Sequence, residues 1–391
     1  MRILIITDNF APAWAFGGTP KILFELSKRL VEKGHEITVI TTNILDSKNV
    51  IDVNYKVING IKVYYLKTLS RQLAWNMKIF IPIHLRLFFK ENKKSFDLVI
   101  FSGFTGVSKL IGFKFVMDNK IPYVLFAFGS IPRGGDFKSL LKYINDSLFG
   151  NDIIKNACKL IAQNPDEMKQ YLIRAAKNSQ IACIPLFVDL SEFQDLPPRG
   201  FLRRKYMIKE NEKIILFLGR IHEDKGLNLL LNTFSKLLHI QNNIKLVIVG
   251  RDDGFLFSML NLIKVLDLED KAIFVGPLYN RQRIAAYVDA DIFVMPSYNF
   301  EETSLASLEA CASYTPVIVT KQASDPLINI YEAGFIINYD EEELQQALLR
   351  ILNDEKLRSE MGKNARRMIE EEFEVNKVVS QLEKIFEECI R

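Results

Sequence analysis

Short runs of β-branched and aromatic residues alternate with longer segments of helical period along this chain, and that alternation restricts the folds it can adopt. Strands buried on both faces carry such continuous apolar runs, and parallel strands need helical crossovers. The pattern therefore predicts an α/β protein with doubly wound parallel sheets. The runs are RILIIT, EITVITT, KVYYL, DLVIFS, YVLFAFG, KLIAQ and QIACIPL, then LFLGR, KLVIVG, AIFVG, IFVMPS and PVIVT, with GFIIN as a candidate last strand.

At 391 residues the chain is long enough for two cores. The segment SEFQDLPPRGFLRRKY contains two prolines and a glycine, which interrupt regular structure between the two sets of runs. We expect a first Rossmann-like domain over 1–190, a linker over 191–204 and a second Rossmann-like domain over 205–372. The charged helical segment 373–391 is expected to cross back to the first domain.

Charge is distributed unevenly between the two halves. Residues 1–190 hold 26 Lys and Arg against 15 Asp and Glu, whereas the remainder holds 25 against 32. A basic first half favours an anionic partner, such as a lipid phosphate or a membrane surface, although a solvated lysine-rich surface explains it equally well. Nucleic acid is not expected as a partner, because the cations are spread along the chain.

The segment QLAWNMKIFIPIHLRLFFKENKK mixes aromatic, aliphatic and cationic residues. Its charges and Pro82 interrupt it too often for a membrane span. An interfacial anchor and a strand-connecting helix of the first domain both remain open, and the connecting helix is favoured.

The four cysteines lie far apart, without a CxxC pair or a neighbouring histidine. We therefore expect reduced thiols, no metal site and a cytoplasmic protein, with a peripheral position on the inner face of the membrane as a further possibility. The N-terminal MRILIITDNF is interpreted as a first buried strand and not as a signal peptide.

Two loops carry residues suited to phosphate. Gly17 and Gly18 precede an amphipathic helical segment, and a helix N-terminus offers free N–H groups to an anion; a plain tight turn is the alternative.

Arg220 follows a predicted strand directly and Lys225 comes five residues later, between Gly219 and Gly226. Two cations at a strand end suit a diphosphate, and exposed surface charges are the alternative.

A pair of glutamates follows the strand IFVMPS. Glu301 lies in the loop, and Glu309 lies about two turns into the next predicted helix, beside Leu308 and Ala310. A carboxylate among apolar neighbours needs hydrogen-bond donors, and sugar hydroxyls are suitable ones.

In its second half the sequence resembles glycosyltransferase family 4, the group 1 retaining transferases of GT-B fold. LFLGRIHEDKGLNLLLNTF, KLVIVGRDDG, FVGPL, AYVDADIFVMPS and the glutamate pair with PVIVT match in order and spacing. The first half is similar more loosely, through GGTPKILFELSKRL, KGHEITVITT, PYVLFAFGSIPR and IPLFVDLSEF.

The resemblance implies two Rossmann-like domains facing across a cleft and transfer of a sugar from a nucleoside-diphosphate sugar to an acceptor hydroxyl. It implies retention, no metal and no cofactor besides the donor, and a place in cell-envelope or glycan biosynthesis with a glycan or lipid-linked sugar as acceptor. Arg220 and Lys225 would bind the diphosphate, Glu309 the ribose, and Glu301 would approach the transferred sugar. Further donor-binding residues implied are Gly17, Gly18, Gly219, Thr303, Ser304 and Leu305.

The sequence departs from the family on the side of the reacting sugar. Phe128, followed by Gly129, replaces the usual histidine of an AHG triplet, so these two residues are the candidates to face the sugar. Ser304 and Tyr314 stand where glycine is usual, and Leu186 and Phe187 replace an Asn-Gly pair. Because phenylalanine donates no hydrogen bond, a nucleotide-sugar-binding subunit without transfer activity is the competing interpretation. A GT-B epimerase is disfavoured by the paired glutamates.

Overall fold

The computed structural model describes residues 1–93, 95–104, 106–131, 150–174, 176–299 and 304–391. It divides into two compact units, Met1–Leu186 together with Val375–Arg391, and Phe187–Glu374. Each unit is built on its own sheet, and the expected α/β class is confirmed.

Eight strands of the first unit are described, and the sequence predicted all of them except one. They are β1 (Arg2–Ile6), β2 (Glu36–Thr42), β3 (Tyr55–Ile58), β4 (Ile61–Leu66), β5 (Leu98–Ser102), β6 (Tyr123–Phe126), β7 (Lys159–Ala162) and β8 (Ile181–Cys183). They form one sheet in the order β3-β4-β2-β1-β5-β6-β7-β8. Only β3 pairs antiparallel, with β4, among the described strands. It escaped prediction because it is an exposed edge strand without an apolar run.

Helices cover the faces of this sheet. They are α1 (Gly18–Glu32), α2 (Arg71–Asn76), α3 (Leu85–Glu91), α4 (Val107–Asn119) and α5 (Pro165–Ile173). In α1 the buried side chains recur at helical spacing, as in Leu23, Leu26 and Leu30, so one stripe of the helix packs against the protein and the rest faces water.

In the described part of the second unit, six parallel strands form a sheet in the order β11-β10-β9-β12-β13-β14. They are β9 (Lys213–Leu218), β10 (Ile244–Val249), β11 (Ala272–Gly276), β12 (Ile292–Met295), β13 (Val317–Thr320) and β14 (Gly334–Ile337). The five predicted strands and the candidate strand GFIIN are all present. The central strands are fully buried, as at Phe217, Val247 and Phe293, which explains their continuous apolar runs.

Eight helices of the second unit are described: α6 (Phe201–Tyr206), α7 (Leu227–Leu238), α8 (Leu256–Val265), α9 (Asn280–Asp289), α10 (Leu305–Ala312), α11 (Leu327–Ile330), α12 (Glu341–Asn353) and α13 (Glu355–Glu372). The segment 191–204, expected as a linker, lies within this unit. The buried carboxylate of Asp289 accepts hydrogen bonds from the backbone N–H groups of Gly200 and Leu202, which attaches the segment to α9.

The last helix, α14 (Val375–Ile390), belongs to the first unit. Glu383 accepts hydrogen bonds from Lys33 at 2.8 Å and pairs with the His35 ring at 2.7 Å. A disulfide joins Cys158 to Cys389, so the expectation of four reduced thiols is wrong for this pair. The return of α14 brings together two cysteines that are 231 residues apart in sequence, a separation that carries no sequence signal.

Candidate functional site

The carboxyl ends of β9 and β12 form the point at which the strand order of the second sheet reverses. From β9 the chain proceeds to β10 and β11 on one side, and it returns to place β12 on the other. Open α/β sheets bind ligands outside the carboxyl ends of strands at such a point. The loops that leave these two strands are therefore the candidate site of this unit.

Hydrogen bonds join these two loops. The backbone N–H of Tyr298 donates to the carbonyl oxygen of Asp224 at 2.8 Å, and Nδ2 of Asn299 donates to Oδ1 of Asp224 at 2.6 Å. Lys225 is buried at the end of the 3₁₀ helix Glu223–Lys225. The ring of His222 caps this turn by accepting a hydrogen bond from the N–H of Asp224 at 3.2 Å, which is a structural role for this histidine.

Close backbone contacts explain two glycines of the site. Gly226 has φ +67°, and a Cβ there would lie 1.8 Å from the carbonyl oxygen of Pro296. A Cβ at Gly250 would lie 1.8 Å from the carbonyl oxygen of Gly219. Neither position accepts a side chain without displacing the backbone, so the strand ends can lie this close only with glycine.

Arg220 lies directly beyond β9 and is paired with an acid that the sequence interpretation missed. Its Nη1 binds Oδ2 of Asp253, and Nη2 of Arg251 lies 3.4 Å from Oδ1 of the same carboxylate. Burial lowers the pKa of Arg251; Asp253 opposes that effect and Arg220 adds to it. Two arginines thus share one carboxylate at the ends of β9 and β10. The signal in the sequence was the triplet Arg-Asp-Asp after KLVIVG.

Glu309 is buried in α10 and is held by two residues of α9, neither of which was predicted. Its Oε2 accepts a hydrogen bond from the Tyr287 hydroxyl at 3.2 Å. Arg283 Nε lies 3.1 Å from the same oxygen as an ion pair without hydrogen-bond alignment. Arg283 also binds Glu192 at 2.8 Å. Glu309 therefore has protein partners of its own, which gives its burial a structural explanation besides the ribose role.

The pKa values of these partners reflect their burial and the charge of Glu309. Burial raises the pKa of Tyr287 well above its ordinary value, and Glu309 raises it further. Burial alone lowers the pKa of Arg283, but Glu309, Tyr287 and Glu192 outweigh that effect and the net pKa is raised. The cluster therefore keeps a neutral tyrosine and a charged arginine around the carboxylate.

The predicted residues at the start of α10 are described only in part. Glu301 and Thr303 lie outside the described residues. Ser304 is the buried N-cap of α10, and its hydroxyl accepts from the N–H of Ser307 at 3.4 Å. Leu305 is the first helical residue. A serine at this place gives the helix a side-chain cap that glycine lacks.

In the first unit, Gly17 and Gly18 lie at the N-terminus of α1. Gly17 is its N-cap with φ +99°, and Gly18 is the first helical residue. A Cβ at Gly17 would meet no atom within 4 Å. The glycine at this position is required by backbone conformation, and the space beside it is open.

Phe128 and Gly129 follow β6 in left-handed conformations, with φ values of +49° and +69°. The Phe128 ring stacks on Phe126 with centroids 5.5 Å apart and is half-buried. The N–H of Gly129 donates to Oε1 of the buried Glu167 at 3.0 Å, while Oε2 accepts from the N–H of Gln163 at 2.8 Å. One carboxylate thus fixes the backbone beyond β6 and β7.

A second polar cluster, also unpredicted, lies where the order of the first sheet reverses, between β1 and β5. Asp8 follows β1, and its Oδ1 accepts from the hydroxyl of Ser108 at 2.6 Å. Its Oδ2 pairs with the buried amino group of Lys109. Both partners belong to α4, so this pair connects β1 to the helix that follows β5.

Within the described ranges, no helix is both long and apolar enough to cross a membrane. The same part of the chain holds no group of three His, Cys, Asp or Glu side chains placed to bind a metal ion.

Both halves of the chain match models of glycosyltransferase families. The model of glycosyl transferases group 1 matches residues 198–368, and that of glycosyltransferase family 4 matches residues 16–192. N-acetyl-alpha-D-glucosaminyl L-malate synthase of Bacillus anthracis is 25% identical over 386 residues, covering 96% of this chain and 95% of that protein.

Two solved structures share the fold. Sucrose-phosphate synthase of Thermosynechococcus elongatus is similar with a TM-score of 0.81 and 20% identity, over 99% of this chain and 98% of that one. HepE of Anabaena, solved with UDP and glucose, is similar with a TM-score of 0.76 and 14% identity, over 99% and 100% of the two chains. With two α/β units and family matches over both halves, the chain has the GT-B fold and belongs to the glycosyltransferase family 4 group 1 transferases.

Proposed function

We propose that this chain transfers a sugar from a nucleoside-diphosphate sugar to an acceptor hydroxyl of a glycan, glycolipid or polysaccharide precursor. Retention of the anomeric configuration and independence from metal are parts of the proposal, and a hexose is the expected sugar. The observation that carries it is the pair Arg220 and Arg251 around Asp253, at the point where the strand order of the second sheet reverses.

The electrostatics of this group suit a diphosphate. Arg220 and Arg251 share the carboxylate of Asp253, and Asp252 interacts more weakly with Arg251, so neither arginine has Asp253 to itself at the ends of β9 and β10. A diphosphate offers several oxygens for planar guanidinium groups and can compete with Asp253 for Arg220. The N-terminus of α7 and Lys225 also favour negative charge, although Glu223 and Asp224 of the same turn oppose it.

The chemical step then follows from charge stabilisation. As the bond between the sugar and the diphosphate breaks, negative charge grows on the leaving group. In this proposal Arg220 and Lys225 stabilise that charge, and preorganised charge stabilisation is the type of contribution that often dominates catalysis. The leaving diphosphate takes the proton of the acceptor hydroxyl on the same face, so the mechanism assigns no general base to the protein.

The direct test is turnover. The full chain is incubated with a panel of nucleoside-diphosphate sugars and acceptors, beginning with UDP-glucose because the similar HepE was solved with UDP and glucose. We expect release of nucleoside diphosphate that depends on acceptor, unchanged by EDTA, with a product of the donor's anomeric configuration by NMR. Inverted product overturns retention, and loss of activity in EDTA that Mg²⁺ restores overturns metal independence.

A binding subunit without transfer activity is the second candidate, because Phe128 replaces a histidine that the family usually carries. It predicts tight binding of nucleoside diphosphate in calorimetry with no transfer from any donor in the panel. A peripheral contact with the inner membrane surface belongs to the proposed function as well, since the acceptor class includes lipid-linked sugars.

A further inference from the structure

The segment that follows β4 leaves the sheet of the first unit and folds back on itself as a short ribbon. The N–H of Leu69 donates to the carbonyl oxygen of Ile81 at 3.0 Å, and that of Ile83 donates to Lys67 at 2.7 Å. Thr68 and Pro82 form the antiparallel bridge between them. Since side chains alternate across such a ladder, Lys67, Leu69 and Ile83 share one face, opposite the buried Pro82.

That shared face is exposed and apolar. The side chain of Leu69 is 64% exposed and that of Ile83 is 37% exposed, beside the exposed Lys67. Water is an unfavourable neighbour for branched aliphatic groups, and contiguous apolar surface on one segment indicates contact with something else.

Helix α2, which lies between the two arms of the ribbon in the sequence, also carries exposed apolar side chains. The N–H groups of Met77 and Ile79 both donate to the carbonyl oxygen of Leu73, which brings the backbone of these three residues together where the helix ends. All three are exposed, Met77 to 58%. The other side of α2 is anchored, because Ala74 packs with the buried Phe80 and Ile44 in a small core. The small core thus fixes the segment while Leu73, Met77 and Ile79 remain outside it.

Cations predominate in this region. From Val53 to Lys90 the sequence contains seven Lys and Arg residues and no Asp or Glu, and the exposed acids Asp52 and Glu91 flank this stretch. The exposed cations Arg71, Arg86 and Lys90 alternate with the exposed apolar residues, and Leu87 is exposed next to Arg86 on α3. Aliphatic side chains interspersed with cations, with no acid among them, are complementary to the interface of an anionic bilayer.

We propose that the exposed side chains of Lys67, Leu69, Leu73, Met77, Ile79 and Ile83, here called the attachment face, attach the first unit to the surface of a membrane containing anionic phospholipid. The aliphatic side chains enter the headgroup boundary and the surrounding cations bind lipid phosphate. Membrane attachment is part of the proposed function, and this inference rests on that function for its biological purpose. Attachment itself can be measured without donor or acceptor.

The test is sedimentation of the full chain with two kinds of vesicle, phosphatidylcholine alone and phosphatidylcholine with phosphatidylglycerol. We expect binding to the anionic vesicles that is at least about tenfold stronger than to neutral ones and that weakens at high salt, because salt screens the lipid charge. Failure to sediment with anionic vesicles, or equal binding to both kinds, overturns the proposal.

Two variants separate the apolar and the ionic contributions. Leu69→Ser with Ile83→Ser removes aliphatic side chains that are already exposed, and Lys67→Glu with Arg86→Glu reverses two charges. Each is expected to weaken binding to anionic vesicles about tenfold or more, without lowering the melting temperature. Matched controls are Phe257→Ser and Lys363→Glu, exposed residues of the second unit, which should bind as wild type.

Further outcomes decide against the bilayer. If both variants bind vesicles as tightly as wild type, the face is not the attachment site. If an acidic soluble peptide binds the chain and the apolar variant binds it equally well, the partner is an acidic protein and the proposal is wrong. Should the apolar variant melt early, the milder Lys67→Gln with Arg86→Gln tests the same surface. Donor binding measured in parallel shows whether the proposed transferase function fails independently.

Discussion

Oδ2 of Asp253 binds Nη1 of Arg220, so the cation predicted to receive the donor diphosphate already has a carboxylate partner within its own domain. The contact joins Arg220, beyond β9, to the loop beyond β10. Under the proposed function a donor diphosphate would have to compete with Asp253 for Arg220, so the strength of this ion pair should influence how tightly the diphosphate binds.

Asp253→Asn is therefore expected to tighten binding of nucleoside diphosphate by about fivefold, the equivalent of one partly exposed ion pair. Arg220→Ala is expected to weaken it by about 1.5 to 3 kcal/mol, because a charge-assisted contact is lost. Calorimetry with the diphosphate and with the free nucleoside measures both, and the nucleoside should respond to neither change. Arg281→Ala, an exposed arginine paired with Asp195, is the control. Unchanged diphosphate affinity in Arg220→Ala contradicts the assignment.

Glu309→Gln tests the ribose assignment against the structural one. The buried arrangement predicts a loss of stability of about 1 to 3 kcal/mol, since Arg283 loses one carboxylate partner and keeps Glu192. At temperatures where the variant is folded, it should lose affinity for the ribonucleotide and not for the 2′,3′-dideoxy analogue. Urea unfolding and calorimetry measure the two effects, with Glu192→Gln as the control on the other partner of Arg283. Equal loss for both nucleotides means that Glu309 is structural only.

Phe128→His restores the residue that the family usually carries. The variant should fold, because histidine is among the residues that tolerate a positive φ, here +49°. If the wild type is an enzyme adapted to a sugar lacking a polar group at the corresponding carbon, the variant shifts kcat/KM toward the hydroxylated sugar by about two- to tenfold, the value of one hydrogen bond. Donor consumption on paired deoxy and hydroxy sugars is the measurement. An active wild type whose preference does not change in the variant refutes the adaptation.

Cys389→Ser removes the disulfide that attaches α14 to the first unit. Closing a loop of more than two hundred residues stabilises the native state by up to about 5 kcal/mol in the chain-entropy description. Without reductant we expect the variant to unfold at lower denaturant than wild type, and with reductant the two should coincide. Cys183→Ser, at an exposed cysteine outside this disulfide, is the control and should follow wild type in both conditions. Coincident curves without reductant indicate that the disulfide does not form in solution.

Much of the fold could be predicted from the sequence, because parallel strands buried on both faces require continuous apolar runs and their crossovers require helical periodicity. The edge strand β3 could not, since an exposed strand carries no such run. The positions of Gly219 and Arg220 after β9 followed from the same local pattern, as did the helix that begins at Gly18.

Only the tertiary structure determines which polar residues that are distant in sequence contact one another. Asp253 and Arg251 reach Arg220 because β9 and β10 are neighbours, and Arg283 and Tyr287 reach Glu309 because α9 packs beside α10. Asp8 forms an ion pair with Lys109, about a hundred residues away in sequence. Cys158 forms a disulfide with Cys389 because α14 belongs to the first unit. Periodicity records which face of an element is buried, and it carries no information about which polar group of another element lies opposite. Pairwise charge contacts therefore depend on the packing of the sheets and helices, whereas the elements themselves are determined locally.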